Sequence, residues 1–341
     1  MEPVRCALVG HGMIGREHAR ILASNSGASL LVVCDSDRSV SDEIPAGVGF
    51  TTDLTEALET EGLEAVWVCT PQQVHLQAVE AALERGLHVF CEKPIASSLS
   101  DAKKMVALDN SSVKTLAIGH TLRFHPDFLA IREAVTAGKL GQIVQIAARL
   151  NVPDHEGEVL SGRTTVAQEL AIHYLDIMRW FAGDIERVYA EVATPGVVGP
   201  GPDAMVATVR FQSGAVGVLD HNWIMADKTG MNSEHRFAVF GSQGAAYIET
   251  RDTSAVIFGS DGMKQVRSDF FSYPHDIPVG ALPAEDTFFL STVRDGRPWP
   301  LTVTDAVAAL TAALAIDLSI AESRPVLLSE VEDSNRTGGH G

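Results

Sequence analysis

The first 120 residues alternate short, β-branched apolar runs with segments of helical period, and that alternation admits few folds. Strands are expected at about 5–9, 30–34, 65–69, 88–91 and 115–118, with a weaker one at 48–50. Helices are expected between them at about 15–24, 54–61, 74–85 and 100–108. Gly62 and Gly86 stand where two of these helices stop, the place of a left-handed closing residue. Parallel strands joined by right-handed crossovers make a doubly wound sheet.

The pattern changes after about residue 122. A helix at 126–137, a strand at 143–150 and a turn-rich segment at 153–164 lead to an amphipathic helix at about 166–181. From 187 to 258 the runs alternate apolar and polar residues between Gly-Pro and Ser-Gly turns, the pattern of an antiparallel sheet with one face available for packing. Helices at 284–294 and 304–322 follow. The fold class read from this is α/β plus α+β, with a parallel-sheet domain over 1–122 and a domain built on an open antiparallel sheet over 123–330. The helix at about 304–322 has the option of packing back on the first domain, and 331–341 is expected to be a flexible tail.

With 341 residues, 45% of them hydrophobic, the chain can build both cores. Twenty-six basic against 44 acidic side chains give a formal net charge of -18, which repels phosphate backbones and anionic lipid and argues against nucleic acid and membrane as partners. The longest apolar run, 306–316, is too short to cross a bilayer, and the N-terminus leads straight into a strand with no leader pattern, so a cytoplasmic protein is expected. Cys6, Cys34, Cys69 and Cys91 lie in apolar, strand-like segments, where cysteine behaves as a small hydrophobe, and neither disulfide nor metal is expected.

Gly10-His-Gly12-Met13-Ile14-Gly15 follows the first strand and opens the first helix. In that context Gly10 permits a tight turn, Gly12 lets the backbone approach a pyrophosphate, and Gly15 lets helix pack on strand, which is the Rossmann dinucleotide fingerprint. Asp35 ends the second strand, where a carboxylate accepts the ribose hydroxyls of the adenosine half and opposes a 2′-phosphate, favouring NAD over NADP. Arg38 weakens that preference, because it can stack on adenine, reach a phosphate or stand in solvent.

Thr70-Pro71 and Glu92-Lys93-Pro94 end the next two long strands, and ligands in open α/β sheets lie outside the carboxyl ends of the strands. Lys93 is thus a candidate donor to a substrate oxygen, although for an isolated Glu-Lys-Pro a surface lysine paired with Glu92 would be the favoured reading. On the 166–181 helix, Glu169, His173 and Asp176 are spaced by four and three and share one face. An imidazole beside a carboxylate can carry a proton near neutral pH; a merely solvated polar face is the alternative.

The ordered set of Gly10–Gly15, Thr70-Pro71 with His75, Glu92-Lys93-Pro94, the segment from His120 to Pro126, the Gly138–Gly141 turn, the helix from Glu169 to Trp180 and the closing stretch from Glu285 to Pro325 resembles the glucose-fructose oxidoreductase and inositol dehydrogenase (Gfo/Idh/MocA) family. The resemblance implies an NAD(P)-dependent oxidoreductase acting on a secondary alcohol of a sugar, cyclitol or related polyhydroxy compound, with Lys93 and His173 as the catalytic pair and Glu169 as third member. Glu169 departs from the family pattern, which has Asp there. The resemblance also places Thr70, Pro71, His75, Glu92 and Arg123 at the cofactor, and Arg123, His125, Asn151, His155 and Trp223 toward the substrate, with the 153–158 segment as specificity element. It implies a homodimer or homotetramer formed through the C-terminal sheet. An enzyme that retains NAD and uses transient oxidation for lysis, and a non-catalytic dinucleotide sensor, are the competing functions.

Overall fold

The computed structural model describes residues 2–193, 196–226, 233–249, 255–259, 262–266 and 272–331. The chain divides into two compact units, residues 1–125 with 269–307, and residues 126–268 with 308–341. The expected tail at 331–341 lies, beyond Val331, outside the described residues.

In the first unit six strands, β1 (Val4–Val9), β2 (Ala28–Cys34), β3 (Gly49–Thr51), β4 (Ala65–Val68), β5 (His88–Glu92) and β6 (Leu116–Gly119), pair in parallel in the order β3-β2-β1-β4-β5-β6. Helices α1 (Met13–Ser24), α2 (Leu54–Leu58), α3 (His75–Glu84) and α4 (Leu99–Ser111) make the crossovers. The order reverses between β1 and β4, which is where a doubly wound sheet opens its ligand crevice. Because both faces of the sheet are covered, β4 is buried at every residue and reads as a continuous apolar run. Trp67, Phe90 and Phe289 are fully buried in this core, and the Trp67 and Phe289 rings meet edge to face at 4.9 Å. Phe289 comes from the helix Ala281–Asp295, which belongs to this unit and not to the second domain in which its place in the sequence puts it.

The second unit contains α5 (Pro126–Thr136), β7 (Ile143–Pro153), α6 (Asp154–Leu160) and α7 (Ile172–Ala182). Strands β8 (Ile185–Val192), β9 (Ala204–Phe211), β10 (Val216–Met225), β11 (Glu234–Gly241) and β12 (Ala245–Glu249) follow. A separate pair, β13 (Ala255–Gly259) and β14 (Gly262–Val266), precedes the helices α8 (Ala281–Asp295) and α9 (Val303–Glu322) and the short strand β15 (Val326–Leu327). The sheet order is β12-β11-β7-β10-β9-β8-β15. It is mostly antiparallel, as expected, with one exception: β7 and β10 run parallel, and the remaining pairs are antiparallel. Inward residues alternate along each strand, as Met205, Ala207, Val209 and Phe211 do along β9. From α7, Tyr174 stacks on Phe237 at 6.0 Å and on His221 at 5.5 Å, so that face is covered.

Three local expectations are corrected. The 153–164 segment holds the helix α6, where Gly157 is required because a Cβ would stand 2.7 Å from the Trp223 ring. The expected helix at 166–181 is not uniform: Ala167–Ala171 is a π-turn in which the Ile172 N–H reaches Ala167 O, five residues back, before α7 begins. Finally, α9 is long and apolar enough to cross a membrane by length and composition, unlike the 306–316 run alone. Ala309, Leu310, Ala312, Ala313, Ala315 and Ile316 on it are all fully buried, as in the core helix of a globular protein.

Candidate active site

The glycine loop is fixed by what surrounds each glycine. Gly10 has φ +94°, and a Cβ there would lie 2.7 Å from the Cys69 carbonyl and the Thr70 nitrogen. A Cβ on Gly15 would lie 2.0 Å from Gly10 O, so the first turn of α1 rests directly on the loop. Gly12 has open space where its Cβ would be, and it caps α1 with no side-chain bond and no acidic residue in the first turn. The N–H groups of that turn are therefore available to an anion, aided by the helix dipole.

Asp35, half-buried just past β2, accepts from the His11 N–H at 2.6 Å and from the Asp37 N–H at 2.8 Å, one bond on each oxygen. Its carboxylate keeps further lone pairs for hydroxyl donors. Arg38 is exposed at the start of the following 3-10 turn. Two buried polar atoms beside the loop, His11 Nδ1 and Thr70 Oγ1, have no partner among the described residues. Together with the open space over Gly12 they fit a bound dinucleotide. Sequence reasoning passed over His11, although its position inside the Gly-His-Gly turn was the available signal.

The strand ends are stitched to one another. Fully buried His75 lies with Nε2 2.7 Å from Thr70 O and Nδ1 3.0 Å from Pro94 O, so one ring spans the turns after β4 and β5. Burial holds its pKa below the ordinary value despite both carbonyls, and the neutral ring donates to one of them at a time. Lys93 is half-buried between those turns, and its backbone N–H donates to Glu92 Oε2 at 2.9 Å. Glu92 is itself buried, with its other oxygen 3.0 Å from His18 Nε2. Arg123 and His125 are buried around the 3-10 turn Thr121–Phe124, and Arg123 Nη1 donates to Pro300 O at 3.2 Å. The structure thus brings the glycine loop, Asp35, Thr70, Pro71, His75, Glu92 and Lys93 to the carboxyl edge of one sheet.

In the second unit Glu169 and His173 are half-buried, Glu169 in the π-turn and His173 in the first turn of α7, while Asp176 is interior. The widened turn takes Glu169 out of the regular spacing of four on which the shared face was argued. His155 is exposed on α6. Two expected substrate contacts are engaged by neighbouring side chains. Trp223 is 1% exposed and spends its indole donor on Asp203 Oδ1 at 2.8 Å, so it packs inside its own unit. Asn151 alternates with buried Leu150 and Val152 along β7, away from the face that Tyr174 covers; its amide donates to Glu234 Oε2 at 3.0 Å and accepts from Asn222 at 2.7 Å. The strand period fixed this outcome, and the sequence alone did not say which parity faces the helix.

Residues 4–120 match the GFO/IDH/MocA oxidoreductase family's NAD-binding Rossmann fold, and residues 128–247 match the C-terminal domain of the same family. The chain belongs to the Gfo/Idh/MocA family. Among its relatives, the myo-inositol 2-dehydrogenase of Thermotoga maritima is 28% identical over 347 residues, covering 96% of this chain and 99% of the relative. The crystal structure of a probable dehydrogenase from Thermotoga maritima superposes with a TM-score of 0.78 at 27% identity, over 96% of this chain and 100% of that one. The fold is shared also with the scyllo-inositol dehydrogenase of Lactobacillus casei, solved with NAD(H) and scyllo-inositol: TM-score 0.83, 20% identity, 96% of this chain and 99% of that one. Family membership makes the parallel-sheet unit the NAD-binding half of a Gfo/Idh/MocA oxidoreductase, in agreement with the glycine loop and Asp35.

Proposed function

We propose that this family member transfers hydride between NAD and a secondary alcohol of a cyclitol, sugar or related polyhydroxy compound, with Lys93 and His173 as the catalytic pair. The relatives named as inositol dehydrogenases support the substrate class. The observation that carries the reading is the setting of Lys93: it follows β5 directly and is joined through His75 to the Thr70 turn that closes over Gly10. NAD, when bound, supplies the hydride acceptor. The Lys93 ammonium donates a hydrogen bond to the reacting oxygen and stabilises developing negative charge on it. His173 accepts the hydroxyl proton as general base, and returns it in the reductive direction. Glu169 orients the imidazole or binds a substrate hydroxyl. Arg123, His125 and His155 are the remaining candidates for substrate contacts. The Asp35 carboxylate favours NAD over NADP.

The experiment is a panel of cyclitols, sugars and sugar acids with NAD and with NADP, read by absorbance of the reduced nicotinamide. Accumulating NADH supports net oxidation; turnover without it points to transient oxidation followed by elimination. Lys93→Ala and His173→Ala should each abolish turnover while NAD still binds, and wild-type turnover in both would sink the assignment.

The chain is further proposed to act in the cytoplasm as a homodimer or homotetramer. Val144, Val206, Val216 and Tyr247 stand exposed on the sheet of the second unit, and an exposed apolar sheet face favours burial against a second copy. Light scattering decides it: a monomer at micromolar concentration removes the proposal.

A further inference from the structure

One buried network runs from the dinucleotide helix to the residue before Lys93. His18, on the inner face of α1 and fully buried, has Nδ1 2.9 Å from both oxygens of Asp286 and Nε2 3.0 Å from Glu92 Oε1. Asp286, on α8, also accepts from Trp67 Nε1 at 2.8 Å. Glu92 uses its second oxygen to hold the Lys93 N–H at 2.9 Å. Three elements therefore meet on one imidazole: the helix that begins at the glycine loop, the strand end that carries Lys93, and α8.

Both ring nitrogens face carboxylates, an arrangement that favours the doubly protonated imidazolium. Desolvation alone would remove the second proton, but Asp286 and then Glu92 outweigh it and hold the His18 pKa up to about 10. Glu92 stays ionised against its own burial because His18 bonds to it. Buried ion pairs of this kind are poor sources of stability compared with apolar packing, and their attested use is to fix geometry. Trp67, Phe90 and Phe289 surround this one with such packing, which an apolar side chain at position 18 would extend.

We propose that His18 is a positioning residue for hydride transfer: by clamping Glu92 it fixes the Lys93 turn against the helix that carries the dinucleotide loop. This rests on Lys93 acting at the reacting oxygen. A loosely held Lys93 leaves the glycine loop intact but would meet the substrate oxygen in the wrong place, an error on the scale of about 100-fold in rate for a misplacement of about 1 Å.

The test uses the full chain, NAD, and the polyol that turns over best in the panel, with and without deuterium on the oxidised carbon. His18→Gln and Glu92→Gln are compared with wild type for kcat per folded protein, NAD affinity and primary isotope effect, the folded fraction being taken from circular dichroism. The expected result is a fall of about 100-fold in kcat in both variants, unchanged NAD affinity in His18→Gln, and an isotope effect raised toward its intrinsic limit as hydride transfer becomes the slow step. A purely structural role would only shrink the folded fraction, leaving kcat per folded molecule and the isotope effect as in wild type, and that result overturns the inference. Should His18→Gln not fold, Glu92→Gln, which nearly preserves shape, carries the comparison alone. Lys93→Ala is run beside them: full activity there refutes the role of Lys93, whereas an inactive Lys93→Ala with wild-type His18 and Glu92 variants refutes the clamp.

Discussion

The His11 N–H donates to Asp35 Oδ2 at 2.6 Å, so the carboxylate that closes β2 also pins the first turn of the glycine loop. One side chain thus holds the loop and, on the proposed reading, offers its remaining lone pairs to the adenosine ribose. Replacing Asp35 by Ala removes both effects, and NAD should bind about tenfold more weakly or worse, the scale of a charge-assisted hydrogen bond. Asp35→Ser, which removes the repulsion of a 2′-phosphate, should raise the ratio of NADP to NAD affinity, with Arg38 free to meet the phosphate. Fluorescence titration with both dinucleotides checks this; an unchanged ratio would place the adenosine ribose away from Asp35.

Gly12 and Gly15 should respond in opposite ways to the same substitution. A Cβ on Gly15 would collide with Gly10 O at 2.0 Å, so Gly15→Ala should unfold or grossly destabilise the first unit. At Gly12 the backbone has φ -73° and nothing lies within 4 Å of the added carbon. Gly12→Ala should therefore melt like wild type yet lose NAD affinity, because the methyl occupies the space in which the pyrophosphate approaches the backbone. Thermal melts paired with NAD titration separate the two, and wild-type NAD binding by Gly12→Ala would move the phosphate site elsewhere.

How much of this was legible in the sequence depends on the range of the interaction. Each strand of the first sheet lies between its own turn signals, so Gly62, Gly86 and the glycine loop announced the elements from nearby residues alone. The mixed second sheet was harder, because period-two alternation marks β7 and β10 as strands without saying that they are parallel neighbours. Gly157 and Pro153 made 153–164 read as turns, yet that glycine serves the packing of Trp223 against α6. No five-residue window distinguishes a π-turn from an α-turn, so the spacing of Glu169 and His173 looked regular. Lys93 was recognisable from its motif; its support from His18 and Asp286 joins residues 268 apart in sequence and has no local sign.

Stability should fall as pH rises above about 6.5. The folded pKa of His18 is about 10 against an ordinary 6.5, so its contribution is complete below 6.5 and lost as pH rises through about 10. Glu285 acts in the same direction: burial, reinforced by the charge of Glu92, raises its pKa well above 4.5, so the unfolded chain gives up this proton first as pH rises past 4.5. Glu92, whose pKa is lowered, contributes stability that is lost as pH falls below 4.5. His11, His75, His88 and His221, which burial holds below their ordinary pKa, add stability as pH rises to about 6.5 and offset Glu285 over that range, so thermal midpoints should peak near about pH 6.5. Glu285→Gln, uncharged at every pH, should flatten the decline and melt higher than wild type at pH 8; a midpoint independent of pH from 6 to 9 would contradict these charge assignments.

Asp203 should matter to the fold of the second unit and little to chemistry. Its Oδ1 receives the buried Trp223 indole at 2.8 Å, and its Oδ2 receives the Val198 N–H at 2.8 Å and the Val197 N–H. Asp203→Ala leaves a fully buried indole donor unsatisfied, at about 1–3 kcal/mol. The denaturation midpoint should drop accordingly while kcat per folded protein holds; a large loss of kcat with unchanged stability would return Trp223 and its loop to the substrate site.

Glu169 is the position at which this chain tests its own geometry. It lies in the π-turn, so the backbone leading from it to His173 is wider than the regular spacing of four supplies, and it is one methylene longer than the Asp of the family pattern. If length and widened turn compensate each other, Glu169→Asp retracts the carboxylate by about a bond length and should lower kcat by about 10- to 100-fold. Glu169→Gln keeps the reach and loses the charge, so its residual activity measures what the charge supplies. Steady-state kinetics of the two variants should then both fall below wild type, and a fully active Glu169→Asp would show that position 169 acts without a fixed distance to His173.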